Sequence, residues 1–294
     1  MKNLFTSAVA LMTFGFAYSQ GNIDISTQVG NSNQNYVNQA GFVNVNMMTQ
    51  FGNSNLATID QTSALNQNYG LSAGNSNSVD VDQIGGGNVN VVEQYGDFNE
   101  ATTYQLGFLN DVEQLQVGYG NEATAVQIGL SNEIDQDQNG VWNSAYALQL
   151  GNDNYASQEQ IGVLNTAVSL QFGNDNTVIQ EQDGWFNDAM ALQIGSDNFI
   201  WQTQVGDGNS ATHIQLGDSN YADSWQVGDG NTNVGLQIGN SNALFQYQFG
   251  DNNTAIDLQL GNSNQAYIMQ TGDSHIHLGL QAGNGNLSVV NQSN

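Results

Sequence analysis

Residues 149–171 read Gln149-Leu-Gly151-Asn-Asp-Asn154-Tyr-Ala156-Ser-Gln-Glu-Gln160-Ile-Gly162-Val-Leu-Asn165-Thr-Ala167-Val-Ser-Leu-Gln171. Three Gln stand eleven places apart, a Gly follows each of the first two by two places, an Asn comes three places later, and a small residue two places after that. Outward from this stretch the same grid continues in both directions. Gln116, Gln127, Gln138, Gln182 and Gln193 fall on it, as do Asn121, Asn132, Asn143, Asn176 and Asn187 and the glycines Gly129, Gly173 and Gly195. The Gln series runs from Gln28 to Gln292 with Ser72 its one break; Ser63 and Asn294 replace the Gly, and His275 replaces the Asn. No insertion interrupts the grid, so one repeat architecture accounts for residues 28–294.

Within a unit, Asn143, Ala145, Ala147 and Gln149 lie two apart. Two-residue periodicity means a strand with these residues on one face. Gly and the two residues after it break the alternation and supply turn chemistry, including positive φ. Each unit is therefore one short strand and one tight turn. A helix fails on propensity, with Gly recurring at every eleventh place. A period of 22 overlies that of 11: the place two before the repeat Gln is Gln at 114, 136, 158, 180 and 202, and Ala at 125, 147 and 191. Two strand types alternate. The expected fold is all-β, a two-sheet β-solenoid of about 12 coils, each coil two strand–turn units. Each strand pairs with the one 22 residues on, about 4.8 Å along the axis. Identical residues then stack, and Asn-on-Asn and Gln-on-Gln amides bond along the axis, which removes the usual cost of burying them.

We place the Asn–Ala–variable–Gln series inside. On the opposite face, one strand type is mixed, with Glu113, Glu159, Glu181, Asp223, Trp201, Trp225 and Tyr247. The other carries an apolar stripe of Leu148, Leu170, Leu192, Ile214, Leu236 and Leu258. The alternative, with the stripe as core and the amides outside, predicts that charges at Leu170 and Leu192 abolish folding. As an exposed stripe, it marks a lateral association surface between filaments.

Composition narrows the function. The chain of 294 residues has one basic residue, Lys2, against 27 acidic ones, a net charge of −26, with no Pro and no Cys. Such a chain has no electrostatic footprint for nucleic acid or anionic membranes, and no disulfide framework or thiol chemistry. Lys2 followed by an apolar run from Leu4 to Tyr18, with Ala17 and Ser19 as the small residues before the cut, reads as a secretory signal peptide over residues 1–19. The run is short for a membrane span. Residues 20–27 then form a short segment before the repeats.

The unit Gln160-Ile-Gly162-Val-Leu-Asn165-Thr-Ala167-Val-Ser-Leu-Gln171 resembles the curlin repeat of curli fibre subunits, and the resemblance covers about residues 22–294. It implies an extracellular functional amyloid exported through an outer-membrane pore, nucleated by a partner subunit at the cell surface, and polymerised with copies of itself into biofilm matrix. Curlin subunits usually carry an unpatterned export segment after the signal peptide; here only residues 20–27 stand in that place.

The sequence also suggests why the chain would polymerise. Sheet ends that are not capped are templates, and the repeat continues to Asn294 with no Pro or Lys near either end. Head-to-tail contacts of this kind do not close. Other constellations are weaker. Asp207, Asp229, Asp251 and Asp273 recur at one turn place, as do Asp153, Asp175 and Asp197; they read as solvated turns before they read as a cation row. His213, His275 and His277 are too scattered for a metal centre, and Trp142, Trp185 and Trp201 read as turn or edge packing before sugar platforms. No nucleophile–base pair, phosphate loop or cofactor fingerprint is present, so a non-enzymatic role is expected, with no cofactor. The rival to a fibre subunit is a monomeric solenoid adhesin or a surface-, ice- or cation-binding protein.

Overall fold

Alternation of period two gives each 11-residue unit one strand, and the Gly that ends the alternation returns the chain along the opposite side. The computed structural model describes residues 21–294; the expected signal peptide, residues 1–19, lies outside them. It contains 25 strands. Strand β1 is Ile23–Asn31 and β2 is Gln34–Phe42. In mid-chain β13 is Tyr155–Val163, β14 is Thr166–Asn174 and β15 is Thr177–Trp185. At the far end β24 is Ile276–Ala282 and β25 is Leu287–Ser293. Odd-numbered strands form a 13-stranded sheet and even-numbered strands a 12-stranded one. All pairs are parallel and in the 22-residue register: β13 meets β15 with Tyr155 opposite Thr177 and Gln160 opposite Gln182. Consecutive strands such as β13 and β14 do not pair; they face each other across the core. The fold is thus the two-sheet solenoid expected. The first strand begins at Ile23, so the boundary drawn at Gln28 falls inside β1.

The strands are longer than a short strand bounded by Gly. Through Asp188–Ser196 they hold nine residues and run through the repeat Gly; from Phe199 onward they hold seven and stop before it. The bend is made by two positive-φ residues, as at Gly162 (φ 121°) and Leu164 (φ 57°). The turn stays bonded between coils, with Leu164 N donating to Val141 O at 3.0 Å. A Cβ at Gly162 would overlap the carbonyl oxygen of Gly184 in the next coil. That close stacking, together with the φ, is why Gly recurs.

Burial alternates along every central strand, and the inward places hold the Asn–Ala–variable–Gln series. Ala156, Ala167 and Ala189 are fully buried, as are Gln160 and Gln171. The two sheets complement each other in volume. Where odd strands carry Gln158 or Gln180 inward, even strands offer Ala147 and Ala191. Near the N-terminal end both sheets fill the space with Met48, Ile59, Val79, Val81 and Val92.

Candidate functional site: amide ladders, turn clamps and sheet ends

The repeat Gln forms a ladder with one direction. Gln149 donates from Nε2 to Gln171 Oε1 at 2.8 Å, and Gln160 does the same to Gln182 at 2.8 Å. The second N–H crosses to the other sheet: Gln160 Nε2 donates to Ser144 O at 3.0 Å and Gln149 Nε2 to Glu133 O at 2.9 Å. The same pair of bonds is made by Gln116, Gln127, Gln138, Gln171, Gln182 and Gln193. Both N–H groups and the carbonyl of a buried amide are thereby used, which is the condition for burying it without penalty. A second ladder runs two places earlier in the odd strands, from Gln114 through Gln136, Gln158 and Gln180 to Gln202. Each of its amides also reaches a backbone carbonyl across the core, as Gln158 does to Tyr146 at 3.1 Å. The small Ala147 opposite leaves room for that reach.

The Asn ladder runs the other way and closes the turns. Asn165 N donates to Asn143 Oδ1 at 3.0 Å, and Asn165 Nδ2 donates to Gly184 O at 3.0 Å in the coil beyond. Asn121, Asn132, Asn143, Asn154, Asn176 and Asn187 make the equivalent bond to the Gly carbonyl 19 residues on. The spacing of Gly and Asn in the unit therefore encodes a clamp between layers. Gly129, Gly151, Gly162, Gly173 and Gly195 all sit at φ between 121° and 145°. The Asp row at the late turns is a third clamp. Asp207 N donates to Asp229 Oδ1 at 2.9 Å, Asp229 N to Asp251 at 2.9 Å and Asp251 N to Asp273 at 3.0 Å. Each carboxylate is solvated and bonded to backbone, which offsets the repulsion between stacked charges. Asp153, Asp175 and Asp197 instead occupy the left-handed turn place, at φ 54–57°.

Leu148, Leu170, Leu192, Ile214, Leu236 and Leu258 point outward, are half-buried, and stack in register from coil to coil. The outer face of the odd sheet gathers Glu113, Glu133, Asp135, Asp137 and Glu159. Burial first, and then the neighbouring carboxylates led by Glu113, push Asp135 up to about 6. Farther along the same face, Trp201, Trp225, Tyr247, Phe249 and Met269 line an apolar groove. Trp142 sits in a turn at φ 57° and Trp185 at the end of β15.

Three residues break the interior rule, and sequence reasoning did not connect them. Gln202 Nε2 lies 2.9 Å from His213 Nδ1, and His213 Nε2 lies 3.0 Å from Gln246 Oε1. Gln246 Nε2 donates to Asp257 Oδ2 at 2.9 Å, and His277 Nε2 lies 3.0 Å from Asp257 Oδ1. Because the Gln202 amide donates, His213 accepts at Nδ1 and carries its proton on Nε2. Full burial pushes His213 down to about 4, so it is neutral at neutral pH. Gly235 beside it supplies the space, since a Cβ there would crowd the imidazole. The signal was in the grid: 213, 257 and 277 are inward places by their distance from Gln215, Gln259 and Gln281. His275, by contrast, takes the Asn place in a turn, where its N–H still donates to Asn253 Oδ1 at 2.9 Å. Among the described residues no three His, Cys, Asp or Glu converge as metal ligands.

At the two ends, β1 and β2 pair with partners on one side only, as do β24 and β25. The ladders stop there with unused groups. Gln281 Nε2 reaches Gln265 O and Gln292 Nε2 reaches Ile276 O, each with a second N–H left over among the described residues. Gln28 and Gln39 donate onward to Gln50 and Gln61, while no Gln of the described residues donates to their own Oε1 atoms.

No curated protein matches the chain significantly. A family model for the curlin associated repeat matches it twice, at residues 74–107 and 131–162. Both stretches hold the Gln–Gly–Asn unit whose ladder and clamp are described above; over those residues the chain carries the curlin associated repeat, and the same unit recurs along the solenoid.

Proposed function

We propose that this chain is a secreted structural subunit that assembles head to tail with its own copies into extracellular, curli-like amyloid fibres serving as biofilm matrix and adhesive. The observation that carries the reading is the pair of end faces. Each presents unpaired strand backbone and ladder groups of opposite sense, donors at Gln281 and Gln292, acceptors at Gln28 and Gln39. A sheet edge of this kind extends by backbone pairing with another strand. The curlin repeat and the β-solenoid both support a structural role in preference to catalysis. The outward Leu row supports side-by-side packing of fibres, and the net charge of −26 supports solubility before assembly. An outer-membrane export pore and a nucleating subunit are the partners such a subunit would use.

The test is seeded growth. The purified chain beginning at Gln20 is expected to form unbranched fibres after a lag, and sonicated fibres are expected to abolish the lag. A dispersed monomer that ignores seeds at high concentration overturns the proposal.

A further inference from the structure

We infer that successive subunits join with a half-turn about the fibre axis, so that the odd-strand sheet of one copy runs on into the even-strand sheet of the next. The inference rests on the head-to-tail assembly proposed above and adds to it the register of the junction. Its first ground is parity. The described solenoid has 13 strands in one sheet and 12 in the other. The place that follows β25 on the spiral is therefore above β24, in the even sheet. An incoming copy that fills it with its own β1 continues both sheets without a break. An unrotated copy would instead set β1 on β25 and leave the place above β24 empty. That gap is one strand thick and strands two sheet edges unpaired.

The second ground is the side chains that the half-turn brings together. Held to the 22-residue register of every other pair, β1 on β24 sets Gln28 on Gln281 and Asp24 on His277. By the same register β2 on β25 sets Gln39 on Gln292 and Val37 on Val290. Both Gln ladders then continue, with the leftover N–H groups of Gln281 and Gln292 meeting the free Oε1 atoms of the next copy. The inward carboxylate at one end meets the inward imidazole at the other, in a protein with no Lys or Arg among its described residues. Unrotated docking sets Asp24 on Ser288 and its neighbour Ser26 on Val290, which matches neither charge nor polarity. A fibre built this way repeats structurally after two subunits.

Disulfide trapping reads the register directly, because the chain has no Cys of its own. Ile25, Leu278 and Val289 point outward with 37%, 72% and 70% exposure. In the half-turn junction Ile25 stacks on Leu278; in the unrotated one it stacks on Val289. Stacked Cα atoms about 4.8 Å apart lie within disulfide range, and residues at opposite ends of one solenoid cannot bond to each other. Full-length secreted chains carrying Ile25→Cys with Leu278→Cys, or Ile25→Cys with Val289→Cys, are assembled, oxidised and run on a denaturing gel without reductant. The expected result is a ladder of covalent multimers from the first pair and monomers from the second. Multimers from the second pair, or monomers from both when fibres are present, overturn the half-turn and leave head-to-tail assembly standing. Absence of fibres from the unsubstituted chain overturns that assembly as well.

Discussion

Replacing Gln160 by Leu tests whether the buried amides hold the sheets together or merely fill space. The Gln160 amide donates to Ser144 O and to Gln182 Oε1 and accepts from Gln138 Nε2 at 2.9 Å. Leucine is close in volume and inert in hydrogen bonding. It would remove a bond from three polar groups, a Gln138 N–H, the Gln182 carbonyl and the Ser144 carbonyl, the two Gln at most 2% exposed and Ser144 half-buried. Each such group costs about 1–3 kcal/mol, and burying the leucine returns about 1.5–3 kcal/mol. With low paired to low and high to high, the net expected loss is about 1.5–6 kcal/mol. The chain contains its own control. At Ser72, where the ladder is interrupted, the hydroxyl donates to Gln94 Oε1 at 3.0 Å and keeps that acceptor paired. Gln160→Ser should therefore cost about half as much as Gln160→Leu, although serine is smaller and leaves a void. The assay is the guanidinium midpoint of the unassembled chain, followed by far-ultraviolet circular dichroism. A leucine variant as stable as the parent, or more stable than the serine variant, would refute the reasoning and make apolar filling the source of stability.

Three further outcomes are expected. Leu170→Glu combined with Leu192→Glu should leave the solenoid folded, at a cost below about 2 kcal/mol, while removing lateral bundles from electron micrographs; loss of folding would place the stripe in the core. Asp135→Asn should stabilise the fold at neutral pH by about 1 kcal/mol after allowance for solvent screening. The raised Asp135 favours the folded state below pH 3.8, and that advantage is lost as pH rises towards about 6, so the parent but not the variant should weaken across this window in midpoint-against-pH curves. His213 acts in the opposite sense: with its folded value near 4 against 6.5 unfolded, it costs stability as pH falls from 6.5 to 4, and His213→Gln should flatten that part of the curve.

The solenoid was legible because its two periods carry different physics. Period two at Asn143, Ala145, Ala147 and Gln149 gives the strand and its inner face, and the 22-residue alternation of Gln158 with Ala147 gives two sheets and not one. The ladder was legible for the same reason, since identical amides at the stacking interval satisfy each other. Strand length was not legible. A Gly at φ 121° was read as a strand end, whereas Gly162 stays within its strand, in register with Gly140 and Gly184 of the coils on either side. The role of the late Asp row also escaped, because a carboxylate accepting the backbone N–H of the preceding coil depends on a rise between layers that no spacing reveals. His213 and Asp257 were missed through attention to residue type over grid place. Their inward positions follow from counting back from the next Gln, and only the three-dimensional stacking of coils joins them through Gln246.

X-ray diffraction from aligned fibres of the secreted chain is the most direct measurement of the central claim, that one subunit's stack of strands continues into the next. The account predicts a strong reflection at about 4.8 Å along the fibre axis, from strands lying across it. Fibres whose 4.8 Å spacing runs across the axis, or particles that give no such reflection, would contradict it.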